Sequence, residues 1–177
     1  MKNKIILLEN LIKIVNIKKK EGKKIVLCHG VFDLLHIGHI KHFKEAKNLG
    51  DILVVTLTPD IYVNKGPGRP AFKEKLRVES VASLDVVDYV ALNSTSTAIN
   101  IIQKIKPNIY CKGPDYKDHK KDISGQIKKE INMVKKIGGK IVYTGDITFS
   151  SSKLINDYDS FQTNSKKQLI KRINKNY

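Results

Sequence analysis

The chain has 177 residues, the length of one domain, and its 41% hydrophobic content is enough to fill a core. The formal net charge is +16, which suits nucleic acid, an anionic membrane surface or polyphosphate substrates. The excess is mostly lysine, in a chain also rich in isoleucine and asparagine; it reads as a compositional bias, so nucleic acid is not the expected partner and an RNA-linked module is a remote alternative.

The apolar run beginning at Ile5 meets Glu9 after only four residues. That is too short for a signal peptide, and no later stretch approaches a membrane span, so no membrane association is expected. Leu8, Leu11, Ile12 and Val15 share one face of a first helix, which the Lys18–Gly22 segment ends. Residues 1–23 are thus an N-terminal helix and residues 24–156 the main domain. Within that domain, β-branched runs predict strands at Lys24–Cys28, Ile52–Leu57, Asp88–Leu92, Asn108–Cys111 and Lys140–Tyr143. Amphipathic runs predict helices over about Gly38–Asn48, Phe72–Leu84, Thr97–Ile105 and Ile123–Ile137. Gly50 and Gly138–Gly139 are read as the stops of the first and last of these. Cys28 and Cys111 lie inside apolar strands as buried thiols, with neither a disulfide framework nor a zinc knuckle in the spacing, so a reducing cytoplasm is expected. Strands alternating with helices predict an α/β fold: a Rossmann-like, doubly wound sheet of five parallel strands with helices on both faces. Residues 157–177 are polar and are read as a tail or linker. In such sheets ligands bind beyond the carboxyl ends of the strands, at the switch point.

Immediately after the first strand stands Gly30-Val31-Phe32-Asp33-Leu34-Leu35-His36-Ile37-Gly38-His39. The backbone turns at a glycine, and two histidines fall where the next helix begins. A helix start has unsatisfied N–H groups and partial positive charge, so it attracts phosphate, and Gly38 allows close approach. His36 and His39 are three residues apart and can face one ligand from the helix's first turn. Two imidazole donors there can hold the α-phosphate of an NTP while charge develops on it.

This ten-residue segment resembles the signature of the HxGH nucleotidyltransferases, the cytidylyltransferase-like superfamily, and the likeness runs from about Lys24 to Asn156. The resemblance implies direct in-line attack by an acceptor phosphate on the α-phosphorus, with no covalent enzyme intermediate. It implies nucleotide contacts from Gly30, Val31, Phe32, Asp33 and Gly38, with His36, His39 and Lys65 catalytic. The Lys65-Gly-Pro-Gly-Arg69-Pro70 segment matches the basic loop that reaches phosphates, so Arg69 is a phosphate ligand by the same likeness. Arg77 matches a phosphate-contacting arginine of the family, with a surface salt bridge as the alternative. Ser150, Ser151 and Ser152, after the last strand, match its hydroxyl-rich signature and suit the β- and γ-phosphates. No cluster suggests a dedicated protein metal site, so Mg²⁺ is expected to arrive with the triphosphate. Relatives imply a homodimer.

Lys112-Gly113-Pro114-Asp115-Tyr116-Lys117 is similar to the Gly-Gly-Asp-Tyr-Lys segment of the heptose 1-phosphate adenylyltransferases, with Pro114 in place of a glycine. Lys112, Asp115 and Tyr116 are therefore candidate substrate ligands, while a plain Gly-Pro-Asp turn is the alternative. The added N-terminal helix points to the same branch. Tyr143-Thr-Gly-Asp-Ile-Thr-Phe-Ser150 lacks the arginine of the glycerol-3-phosphate cytidylyltransferase signature. The expected reaction is transfer of NMP from ATP to a sugar phosphate, with CTP and a polyol phosphate next. The branch also implies a sugar kinase, fused or separate, that supplies the acceptor. HxGH marks class I aminoacyl-tRNA synthetases too, but the chain has no Lys-Met-Ser-Lys-Ser segment and no room for an anticodon domain.

Overall fold

A computed structural model describes residues 4–66, 68–117 and 125–145. Five parallel strands form the sheet: β1 (Ile25–Gly30), β2 (Ile52–Leu57), β3 (Tyr89–Leu92), β4 (Ile109–Lys112) and β5 (Lys140–Tyr143). Their order is β3-β2-β1-β4-β5, so the winding reverses between β1 and β4. This is the expected doubly wound sheet, with its switch point beside the glycine-led motif.

Strand alternation assigns the helices to the two faces. Ile25 and Leu27 of β1 turn one way, into a cluster with Leu11 and Val15 of α1 (Leu8–Lys20), Ile101, Ile102 and Ile105 of α4 (Ile99–Ile105) and Val134 of α5 (Ile127–Lys136). Val26 and Cys28 turn the other way, onto Phe43 and Ala46 of α2 (Ile37–Lys47) and Val78 and Val81 of α3 (Glu74–Ala82). α1 is thus part of the core and no appendage: Leu11 and Val15 are completely buried. Its Lys19 also donates to the carbonyls of Ile105 and Lys106, which the end of α4 leaves without helical partners. Among the described residues no helix is long and apolar enough to cross a membrane.

Several boundaries differ from the sequence reading for local reasons. β1 runs on through His29 and Gly30, because Gly30 still pairs with Leu57. α3 starts at Glu74, since the N–H groups of Ala71 and Phe72 are given to Asp33. Gly138 does stop α5 with a left-handed φ of 75°. Gly50 does not act that way; a side chain there would meet Lys24 O and Val26 Cγ2 at 2.8 Å, so it is a close-approach glycine. The sequence also gave no sign that Lys4–Ile6 lies along β3, with Val90 N donating to Lys4 O (2.8 Å) and Ile6 N to Val90 O (2.9 Å).

Candidate active site

The β1–α2 junction is built around Phe32, which sits at φ 48°, a conformation strained for an aromatic residue. The turn folds its ring back over Gly30, where an added Cβ would lie 3.1 Å from the ring. The same ring meets His39 edge-on at 5.3 Å and Phe43 at 4.9 Å between centroids, and so props the start of α2. His36 occupies the N-cap position without a side-chain capping bond, and His39 follows one turn later. Their rings stack at 3.8 Å with 24° between planes, which confirms the shared face that the spacing predicts. Nδ1 of each ring is buried and has no hydrogen-bond partner. Burial, and then repulsion from Lys65, lowers the pKa of His36. Burial, then His36, His42 and Lys65, pushes His39 down to about 3. Both imidazoles are therefore neutral at physiological pH, and an arriving polyanion would raise their pKa values.

The basic loop reaches the motif through Asp33. Its Oδ2 accepts from Arg69 Nε at 2.6 Å, and its Oδ1 accepts from Ala71 N at 2.7 Å and Phe72 N at 3.2 Å. With its side chain completely buried, the Asp33 carboxylate ties the loop to the motif, so a nucleotide contact here falls to the backbone of Asp33 and not to its side chain. Arg69 keeps Nη2 buried without a partner, one charged donor left over beside the histidines' loop. Lys65 is exposed at the loop's other end. Crowding around its amine, then Arg69, lowers its pKa. His36, His39, Lys65 and Arg69 thus form one electrostatic group.

Arg77 departs from its expected role. Its side chain is completely buried, and Nε donates to Phe72 O, Nη1 to Val31 O, and Nη2 to Thr58 O and Asp60 Oδ1. With four of its five N–H donors on backbone carbonyls and Asp60, and the whole side chain out of solvent, it fixes the Val31 carbonyl of the motif rather than facing outward to a phosphate. Neither the phosphate contact nor a surface salt bridge describes it. Lys112 is likewise buried, donating to His29 O at 3.3 Å with its ammonium 4.0 Å from the centre of the Tyr116 ring. Glu130 lies 3.8 Å away, so Lys112 ties β4 to β1 and does not reach outward to a ligand, contrary to expectation. Asp115 is exposed on the short turn Pro114–Tyr116. Ser150, Ser151, Ser152 and residues 157–177 lie outside the described residues.

The sequence reading missed His42, one turn beyond His39, whose Nδ1 lies 3.0 Å from Thr144 Oγ1. It also missed Asp60, which exchanges backbone-to-carboxylate bonds with Glu74 while accepting from Arg77. The three-residue spacing of His36, His39 and His42 carried a signal for the first; nothing local marked the second.

A protein of similar sequence is the bifunctional protein HldE of Aliarcobacter butzleri, 43% identical over 122 residues, 67% of this chain and 25% of that protein. Another is the bifunctional protein HldE of Desulfatibacillum aliphaticivorans, 38% identical over 142 residues, 78% of this chain and 28% of that one. The chain thus spans about a quarter of the length of these relatives. Among solved structures, the lipopolysaccharide core biosynthesis protein of Thermoplasma volcanium superposes with a TM-score of 0.59 at 31% identity, covering 72% of this chain and all of that one. The pantoate–β-alanine ligase of Francisella tularensis superposes at 0.60 over 86% of this chain and 73% of its own, and at 20% identity it shares the fold alone. The cytidylyltransferase-like family description matches residues 27–164, and with the stacked histidine pair at the switch point it makes this chain a member of the cytidylyltransferase-like nucleotidyltransferases.

Proposed function

We propose that the chain transfers a nucleoside monophosphate from an NTP, ATP by preference, to a sugar phosphate and releases pyrophosphate. The observation that carries this reading is the stacked His36–His39 pair at the start of α2, beside Lys65 and the unpartnered Nη2 of Arg69. An acceptor phosphate is already anionic at neutral pH, so the protein's task is to align two polyanions and offset their repulsion. His36 and His39 would donate to the α-phosphate as charge builds there, and Lys65 and Arg69 would receive the neighbouring phosphates. Ser150–Ser152 would serve the β- and γ-phosphates. Asp115 and Tyr116 would border the acceptor.

Asp33, the carboxylate of the motif, is committed to Arg69 and two backbone N–H groups, so it holds the loop and not a cation. That arrangement fits a Mg²⁺ held by the triphosphate's own oxygens, where it would neutralise phosphate charge.

The sugar-phosphate acceptor is supported by the likeness to bifunctional HldE proteins and to a lipopolysaccharide core biosynthesis protein. The chain matches about a quarter of each bifunctional relative, which supports a sugar kinase working with it, fused or separate. A homodimer in the cytoplasm completes the reading. Pyrophosphate release, measured across ATP, CTP, GTP and UTP with sugar 1-phosphates and polyol phosphates, tests it. ATP with a sugar 1-phosphate should give the highest kcat/KM; CTP with a polyol phosphate would replace the subclass, and no release with any pair would end the enzymatic reading.

A further inference from the structure

Behind the start of α2 lies a second chemical cluster that nucleotidyl transfer does not use. Cys28 of β1 and Cys111 of β4 are register partners in adjacent parallel strands, and both are completely buried. His42 of α2 packs onto them, and one ligand atom from each of the three lies within 4.8 Å of the others. The side chains are delivered by two central strands and a helix that buries Phe43 and Ala46 on the same face. Thr144 Oγ1, 3.0 Å from His42 Nδ1, fixes the plane of the ring, the kind of outer partner that orients metal-binding histidines.

We propose that Cys28, His42 and Cys111 form a three-coordinate site for a soft, closed-shell monovalent ion of the copper(I) class. Two thiolates and an imidazole are a soft ligand set, matched to Cu(I) or Zn²⁺ and mismatched to hard Mg²⁺. Coordination number decides between the first two. A structural Zn²⁺ takes four ligands, and among the described residues this group offers three. A trigonal monovalent ion is complete with three. Charge agrees: one M⁺ displaces the two thiol protons into water, leaving a complex of charge −1. The Lys112 ammonium acts on both Cys28 and His42 and also faces Glu130 at 3.8 Å, so it offsets part of that charge.

The test is anaerobic titration of the reduced, full-length protein with Cu(I) delivered from a chromophoric chelator, with Ag(I) as a redox-inert parallel. The chain has two cysteines, so any thiolate-to-metal ultraviolet band reports this pair. Expected are one ion per chain, two protons released per ion, and far tighter binding of Cu(I) than of Zn²⁺. Cys28→Ser and Cys111→Ser should each abolish the band. Thr144→Val should weaken binding about tenfold, as loss of an outer partner does. Absence of the band at one equivalent, or Zn²⁺ bound as tightly as Cu(I), overturns the proposal. Should the serine variants fail to fold, X-ray absorption on the wild type decides: two sulfurs and one nitrogen support the site, and a four-coordinate or nitrogen–oxygen shell removes it.

Discussion

Arg69 and Asp33 meet at 2.6 Å across 36 residues of sequence, both side chains almost wholly out of water. The contact joins the basic loop to the motif that carries the histidines, so the loop's position is set by the motif's own carboxylate. Removing one partner of a buried ion pair strands the other's charge. Asp33→Ala should cost about 3–5 kcal/mol of unfolding free energy, read from denaturant midpoints, and nucleotidyl transfer should fall with it. A variant with wild-type stability would mean that the pair is not buried in solution.

His36 and His39 predict the opposite division between stability and catalysis. Each alanine variant should lower kcat by about two orders of magnitude, while the melting temperature moves little. Near-normal turnover in both would remove them from the transition state.

Acid stability follows from His39, whose folded pKa of about 3 lies below its ordinary 6.5. The folded state resists a proton that the unfolded state accepts, so this contribution is fully present above pH 6.5 and is lost progressively as pH falls toward about 3. His39→Gln should flatten the stability–pH curve across that window, measured by denaturant unfolding at several pH values. An unchanged slope would contradict the buried, neutral imidazole.

Arg77 and Lys65 separate two kinds of cation. Arg77→Gln removes hydrogen bonds to Val31, Thr58, Phe72 and Asp60, and unfolding free energy should fall by several kcal/mol, roughly 3 or more. Exposed Lys65→Ala should leave stability within about 0.5 kcal/mol and lower kcat/KM for the nucleotide by at least about tenfold. Side-by-side thermal melts and steady-state kinetics check both; equal destabilisation would erase the distinction.

Much of this architecture is readable along the chain, because periodicity and strand–helix alternation are local properties. β2 and β5 fall where their β-branched runs stand, and the His36–His39 pairing follows from a three-residue spacing at a helix start. What escapes a linear reading is packing between distant segments. Arg77 looks like any helical arginine until the fold closes the Thr58, Val31 and Phe72 carbonyls around it. Lys112 looks like a ligand at a strand's end until β1 lies beside it and offers His29 O. Cys28 and Cys111 become partners only when β4 crosses to the far side of β1, a step that the order of the elements implies but no residue pattern marks.

The attachment of Lys4–Ile6 to Val90 bears on how copies of the chain associate. An open strand margin is a template for extending a sheet from one molecule into the next. Here two backbone bonds from the chain's own beginning occupy that margin at β3. A second copy continuing the sheet at β3 would first have to displace Ile5. Lys4–Ile6 therefore covers the β3 margin at Val90, and access to that stretch of backbone depends on this segment letting go.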